Sequence, residues 1–188
     1  MPELTLKQVM QVLRILERNN RWFFSIQNIC VITGRKNDIS LRNDLEYYID
    51  ADMLEYVGND IYAFRIFSMI PFNSQEIITH SLRPNCLNYI SFEYALNQYG
   101  IISQIPTVLT VATTGASEWI SSKSYNIEFI HVNHSFSEIM DNCRYSEARE
   151  ILVASPVFAL KDLENQNRNL HLLQYDEVEE AQQYYENS

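Results

Sequence analysis

Hydrophobic and polar positions follow a helical period through the first part of the chain. Thr5 is a residue type that caps helix N-termini, and after it apolar side chains recur every three or four positions. These apolar residues are Leu6, Val9, Leu13 and Leu16. The spacing predicts a first helix with one buried face, which ends at the turn Asn19-Asn20.

Two further short helices are predicted before residue 53. Ser25 is placed to cap the second helix, and Gly34 closes it because glycine adopts positive φ without strain. The third helix starts near Asp38 and runs to about Asp52. Its apolar face is formed by Leu41, Leu45, Tyr48 and Ile49.

The segment that follows is typical of a β-hairpin. Between residues 53 and 64, two runs rich in aromatic and β-branched residues flank the turn Gly58-Asn59-Asp60. Three short helices followed by a hairpin is the order of a winged helix-turn-helix. We therefore predict an N-terminal winged helix-turn-helix domain over residues 1–68.

Beyond residue 69 the sequence alternates between segments with the helical period and segments with the two-residue period of a β-strand. It predicts helices over 74–82 and 91–100, strands over 108–114 and 125–132, a short element at 148–153 and a helix over 155–163. A mixed α/β C-terminal domain is therefore expected over 69–188, and the fold class of the whole chain is predicted to be α+β.

Two segments leave alternatives open. Residues 113–119 are expected to form an exposed loop between two strands, in which Trp119 either fills the core, the commoner fate of a tryptophan, or faces solvent. The acidic tail at residues 176–180 is either an arm that binds a partner or a solvated helix end.

The apolar runs, the N-terminus and the cysteine spacing together indicate the cellular compartment of the protein. The apolar runs are short and interrupted, so no transmembrane helix is expected, and the N-terminus lacks the pattern of a signal peptide. Three cysteines lie more than 50 residues apart, which suits neither a disulfide framework nor a zinc knuckle. We expect a cytoplasmic protein with reduced thiols and no membrane partner.

Charge is unevenly distributed along the chain. The 188 residues hold 24 acidic and 14 basic side chains, a net charge of −10, which argues against binding nucleic acid through the whole surface. Residues 1–42, however, hold seven bases and three acids, a net charge of +4, and leave −14 for the rest. A local contact with nucleic acid therefore remains compatible with the composition.

The start of the third predicted helix carries residue types that read DNA. In a helix-turn-helix, N-terminal residues of the second, recognition helix reach base edges in the major groove, with arginine suited to guanine and asparagine to adenine. The candidate DNA-binding residues are Arg35, Lys36, Asn37, Ser40, Arg42 and Asn43. The alternative is that they form an ordinary solvated surface, because Asp44, Glu46, Asp50 and Asp52 follow and would repel phosphate.

Enzymatic signatures are missing from the sequence. It contains no G-x-S-x-G, no phosphate-binding loop and no H-E-x-x-H. His131 and His134 are three residues apart, so on a strand they would point to opposite faces and share a metal only if the strand ends between them. We expect no catalytic residues, no metal and no cofactor, with an unrecognised nuclease or other enzyme site as the alternative.

The order of motifs resembles the AbiEi-type antitoxins. That family has a "Y-I-S-x-E-S-A-L" helix followed by "x-G-L-I", a threonine-rich strand, an "F-x-H-I" strand and an "A-x-P-E-K-A-L-x-D-L" helix. The corresponding segments here are Tyr89–Leu96, Tyr99–Ile102, Leu109–Thr113, Ile127–His131 and Ala154–Leu163. The resemblance covers about residues 20 to 163, and Pro156-Val157-Phe158 stands where the family has P-E-K.

The resemblance implies an antitoxin of a type IV toxin-antitoxin system. Its winged helix would bind inverted repeats in operator DNA and repress its own operon. Its C-terminal domain would oppose a nucleotidyltransferase toxin without forming a stable complex. A different possibility is a winged-helix module that binds a protein instead of DNA, through Trp22-Phe23-Phe24 or the set Tyr47, Tyr56 and Tyr62.

Overall fold

A computed structural model describes residues 3–66 and 70–187 of the chain. The chain folds into two compact units. The first takes in the chain up to Ser74 together with Ser121–Tyr125, and the second comprises Gln75–Ile120 and the chain from Asn126 onward. The predicted domain boundary at 68/69 lies outside the described residues.

The first unit contains three helices and three strands in its described part. They are α1 (Leu6–Glu17), β1 (Phe23–Ser25), α2 (Ile26–Thr33), α3 (Ile39–Asp50), β2 (Leu54–Gly58) and β3 (Ile61–Phe64). The predicted caps Thr5 and Ser25 are confirmed, since each side chain accepts a backbone N–H in the first turn of its helix. Asp38, near which the third helix was expected to start, caps α3 in the same way. Gly34 ends α2 at φ 73°, as predicted.

A three-stranded antiparallel sheet packs against these helices. Its order is β1-β3-β2, and Phe24 lies opposite Tyr62. The hairpin of β2 and β3 is confirmed, whereas the sequence pattern does not predict β1. The core beneath the sheet includes Val9, Val12, Leu13, Phe24, Ile26, Ile29, Leu41, Leu45, Tyr48, Leu54 and Phe64.

The second unit is built on a mixed sheet of six described strands. The strands are β4 (Asn88–Ile90), β5 (Leu109–Thr113), β6 (Glu118–Ser121), β7 (Asn126–His131), β8 (Cys143–Ser146) and β9 (Ile151–Ala154), in the order β6-β7-β5-β4-β9-β8. Pairs β5/β7 and β4/β9 are parallel, and β4/β5 and β8/β9 are antiparallel. The helices are α4 (Ser74–Leu82), α5 (Phe92–Gln98), α6 (Phe136–Asn142), α7 (Pro156–Asn165) and α8 (Val178–Asn187).

The strongest predicted elements of this region are confirmed, as is the α+β class. They are α4, α5, β5, β7 and α7, and the short element expected at 148–153 corresponds to strand β9. The loop expected at 113–119 is wrong in its second half, because β6 begins at Glu118. The preference for a core position of Trp119 also fails, since this side chain is 54% exposed. Within the described ranges, no helix combines the length and apolarity needed to cross a membrane.

Candidate nucleic-acid interface

The turn between α2 and α3 brings the six predicted DNA-binding residues together. Gly34 reverses the chain, and Asp38 caps α3 by accepting the N–H of Leu41 at 3.0 Å. The four residues 35–38 therefore lie at the N-terminal end of α3, where helix dipoles favour phosphate. In the structure, some of these six side chains bond to other residues of the first unit, and the others are exposed to solvent.

Arg35 is engaged inside the first unit. Its Nη1 lies 2.5 Å from Asp44 Oδ2, its Nη2 lies 3.2 Å from Glu3 Oε2, and its side chain is only 15% exposed. Asp44 also accepts the backbone N–H of Leu4 at 2.8 Å. Burial opposes ionisation of Asp44, but the N–H of Leu4 and the Arg35 guanidinium outweigh it and lower the pKa of this carboxyl.

Ser40 belongs to the same cluster. Its hydroxyl accepts from Arg35 Nη2 at 3.1 Å and donates to Glu3 Oε2 at 3.4 Å. Arg35 and Ser40 therefore fasten the segment before α1 to α3, and the structure gives both a positioning role in the free protein.

Arg42 connects α3 to the β2–β3 turn. It donates to both carboxylate oxygens of Asp60, at 2.8 and 3.2 Å, and to Asn37 Oδ1 at 3.3 Å. The hydrogen bond and charge of Arg42 lower the pKa of Asp60, and the Arg42 side chain is 43% exposed. Arg42 thus orders Asn37 and the turn while its outer edge stays accessible.

Lys36, Asn37 and Asn43 are exposed. Neither Lys36 nor Asn43 makes a side-chain hydrogen bond or ion pair with any described residue. Ile39, which sequence reasoning missed, is 78% exposed one turn before Asn43. Its position off the Leu41 and Leu45 face was the available signal, since residues four apart share a helix face.

The aromatic set proposed for protein binding is divided by the structure. Trp22, Phe23, Phe24 and Tyr62 are buried and belong to the interior, whereas Tyr47 and Tyr56 are 54% and 44% exposed. Trp22 Nε1 donates to the hydroxyl of Tyr125 at 2.7 Å within the first unit. Burial raises the pKa of Tyr125 to about 12, so this hydroxyl stays protonated.

The two histidines considered for metal binding have separate partners. His131, the last residue of β7, places Nδ1 2.8 Å from the carbonyl of Gly115. His134 places Nε2 2.7 Å from Asp162 Oδ1 and Nδ1 3.2 Å from Glu138 Oε1. Over the residues the structure describes, no group of three or more His, Cys, Asp or Glu side chains is arranged to hold a metal.

Asp162 is the centre of a buried network in the second unit. Its Oδ2 accepts from the hydroxyls of Tyr89 at 2.9 Å and Ser91 at 2.6 Å, while Oδ1 contacts His134. Ser91 is the N-cap residue of α5, but its hydroxyl donates to Asp162 and makes no cap bond. No hydrogen bond joins Ser91 to His134, and both side chains are instead bonded to Asp162.

A second polar cluster faces a cavity of about 410 Å³. Arg168 donates to both oxygens of Glu128, at 2.9 and 2.8 Å, and to Glu93 Oε1 at 3.1 Å. Trp119 and His171 line the same cavity. Both carboxylates are therefore neutralised in part by one guanidinium, and sequence reasoning did not bring these distant residues together.

Comparison with known proteins does not assign a family or a function to this arrangement of residues. The chain matches no protein-family model and no curated protein.

Proposed function

We propose that the first unit is a winged helix-turn-helix that binds operator DNA, and that the protein is a transcriptional regulator of the type IV antitoxin kind. The order α1-β1-α2-α3-β2-β3 and the sheet order β1-β3-β2 support this proposal. In it, α2 and α3 form the helix-turn-helix, and β2 and β3 form the wing. An α-helix fits the major groove of B-DNA, which is about 12 Å wide.

The exposed N-terminal side of α3 carries the proposal. Lys36, Asn37 and Asn43 are accessible there. A lysine binds phosphate, and an asparagine side chain can donate to and accept from adenine in the major groove. Ile39, exposed beside them, is suited to contact a thymine methyl group.

The internal bonds assign different roles to the two arginines. Arg35 stays paired with Asp44 and positions α3. Arg42 holds Asn37 and the wing, so it contacts DNA through its exposed edge while remaining paired with Asp60. We propose direct contact by Lys36, Asn37, Asn43 and Arg42, and support of that surface by Arg35 and Ser40.

Opposition to a nucleotidyltransferase toxin is the second part of the proposal. It rests on the antitoxin-like motifs, two of which meet at Asp162, because Tyr89 and Ser91 of one donate to this aspartate of the other. The proposed toxin is a functional antagonist and not a stably bound subunit.

A promoter fusion tests the regulator in cells. DNA upstream of the gene is placed before a reporter, and the wild-type protein is compared with Asn43→Ala and with the control Lys161→Ala, an exposed lysine of the second unit. We expect repression by the wild type and the control and its loss in Asn43→Ala. Unchanged reporter output with wild-type protein would contradict repression.

Co-expression with a nucleotidyltransferase encoded beside the gene tests the antitoxin role. We expect the full chain to restore growth without the two proteins co-purifying. Growth arrest despite normal protein levels would reject this role and leave the DNA-binding proposal intact.

Binding of a protein through the first unit is the competing function. The exposed Tyr47 and Tyr56 favour it, since tyrosine is enriched in protein interfaces. A stoichiometric partner lost in Tyr47→Ala, together with absence of DNA binding, would establish that function in place of ours.

A further inference from the structure

Four bases of the first unit form no ion pair with any residue that the structure describes. Of the seven bases in residues 1–42, Arg35 and Arg42 are paired, and the Arg21 guanidinium lies 5.7 Å from the ring centroid of Phe23. The bases without an ion pair to any described residue are Lys7, Arg14, Arg18 and Lys36. Three of these four lie on α1 or directly after it, so the available positive charge is concentrated on one helix.

These cations share one face of α1. Lys7, Gln11, Arg14 and Arg18 are separated by four, three and four residues, a spacing that places side chains in one row on a helix. All four are exposed, and the opposite face contains the buried Val9, Val12 and Leu13. The row extends about 16 Å at 1.5 Å per residue. We call these four residues the α1 basic face.

The segment directly before the α1 basic face is bonded to α3. Leu4, two residues before α1, donates its N–H to Asp44 and accepts from the Tyr48 hydroxyl at 2.7 Å. Glu3 is bound to Arg35 and Ser40, at the N-terminal end of α3. Lys7 follows Leu4 by three residues, so the row begins within a few residues of a segment bonded to the helix proposed to read bases.

We propose that the α1 basic face is a second DNA-contacting surface, which binds the phosphate backbone beside the bases contacted by α3. This inference rests on the proposed function. Lysine and arginine supply the sequence-independent part of DNA binding, and the helix is long enough to pass several phosphates, which are about 3.4 Å apart along the axis of each strand. The face has no aromatic or aliphatic residue, whereas the centre of a protein interface is typically apolar.

The salt dependence of DNA affinity tests the inference. The triple variant Lys7→Gln, Arg14→Gln, Arg18→Gln keeps good helix-forming residues at exposed positions, and thermal unfolding checks that it folds. We expect its slope of log affinity against log salt to fall by about two to three units, at about 0.9 per phosphate contact. Its affinity for operator and shuffled duplexes should fall by the same factor, because phosphate contacts carry no sequence information.

A charge-preserving variant provides the matched control. Lys7→Arg, Arg14→Lys, Arg18→Lys should retain the wild-type slope. If the folded glutamine triple keeps the wild-type slope while wild-type protein binds its operator, the α1 basic face makes no DNA contact and only the proposed function survives. If the wild type shows no preference for its upstream DNA, the proposed function fails and this inference fails with it.

Discussion

Arg42 on α3 binds Asp60 in the β2–β3 turn through two N–H···O hydrogen bonds of 2.8 and 3.2 Å. The same guanidinium donates to Asn37, ahead of α3. One side chain therefore fixes the relative positions of the proposed reading helix, the turn before it and the proposed wing.

Removing the charge of Asp60 tests this arrangement. Asp60→Asn should raise affinity for random duplex DNA, because it removes a negative charge and releases Arg42 from its bidentate partner. Affinity for the operator should rise less, since Asn37 and the turn lose their fixed positions. The ratio of the two affinities should therefore fall, and titrations with both duplexes at one salt concentration measure it. A ratio equal to that of the wild type would show that the pair does not order the surface.

Asp44 is expected to stabilise the first unit. Asp44→Ala leaves the largely buried Arg35 guanidinium without its close partner and the N–H of Leu4 without an acceptor. We expect the free energy of unfolding to fall by about 2–4 kcal/mol in urea titrations. Asp50→Ala, an exposed change on the same helix, should stay within about 0.5 kcal/mol of wild type. Equal effects of the two substitutions would contradict this role of Asp44.

The pH dependence of Asp44 has a defined sign. Because its folded-state pKa is lowered, its ionised form stabilises the protein above the ordinary carboxyl pKa of about 4. That contribution is lost as the pH falls through the lowered folded-state pKa. Asp44→Ala should therefore lose less stability on acidification than wild type does, as measured by urea midpoints at successive pH values.

Glu76 is predicted to behave in the opposite way. This side chain of α4 is 3% exposed, its Oε2 has no hydrogen-bond partner in the described part of the chain, and burial raises its pKa. Stability from its protonated form is lost as pH rises above the ordinary carboxyl range. Glu76→Gln should be more stable than wild type near pH 8, with the difference vanishing near pH 4. A lower stability of the variant at pH 8 would show that the ionised carboxylate is needed.

Asp162 is expected to be the most sensitive position of the second unit. Asp162→Ala removes the acceptor of the Tyr89 and Ser91 hydroxyls and the partner of His134. We expect a loss of about 3–5 kcal/mol, because several buried polar groups are left unsatisfied. Asp141→Ala, an exposed aspartate of α6, is the control and should change stability by less than about 0.5 kcal/mol. A loss below about 1 kcal/mol at Asp162 would contradict this role and would mean that the surrounding side chains relax into the space left by the missing carboxylate.

Helix ends that are marked by capping residues can be predicted from the sequence alone. Thr5, Ser25, Asp38 and Gly34 mark helix ends through bonds to neighbouring residues, so the sequence is enough to place α1, α2 and α3. Strand β1 has only three residues and is formed by pairing with β3, about forty positions later. Its existence depends on a long-range contact that no local period records.

The candidate site is predictable in position and not in detail. The residue types of the turn before α3 identify it, but Arg35 and Lys36 look equivalent in the sequence. Arg35 is engaged because Glu3, 32 positions away, and Asp44 converge on it, while Lys36 remains exposed. Trp119 shows the same limit, since its exposure follows from membership of β6, at one edge of the sheet.

The most direct test of the central claim is competition binding by fluorescence anisotropy. A labelled duplex from upstream of the gene is bound by the full chain at moderate salt, then displaced by the same unlabelled duplex or by a shuffled one. We predict that the upstream duplex competes at least roughly tenfold better, about 1.4 kcal/mol, and that Asn43→Ala removes this preference. Equal competition by the two duplexes with wild-type protein would contradict sequence-specific DNA binding.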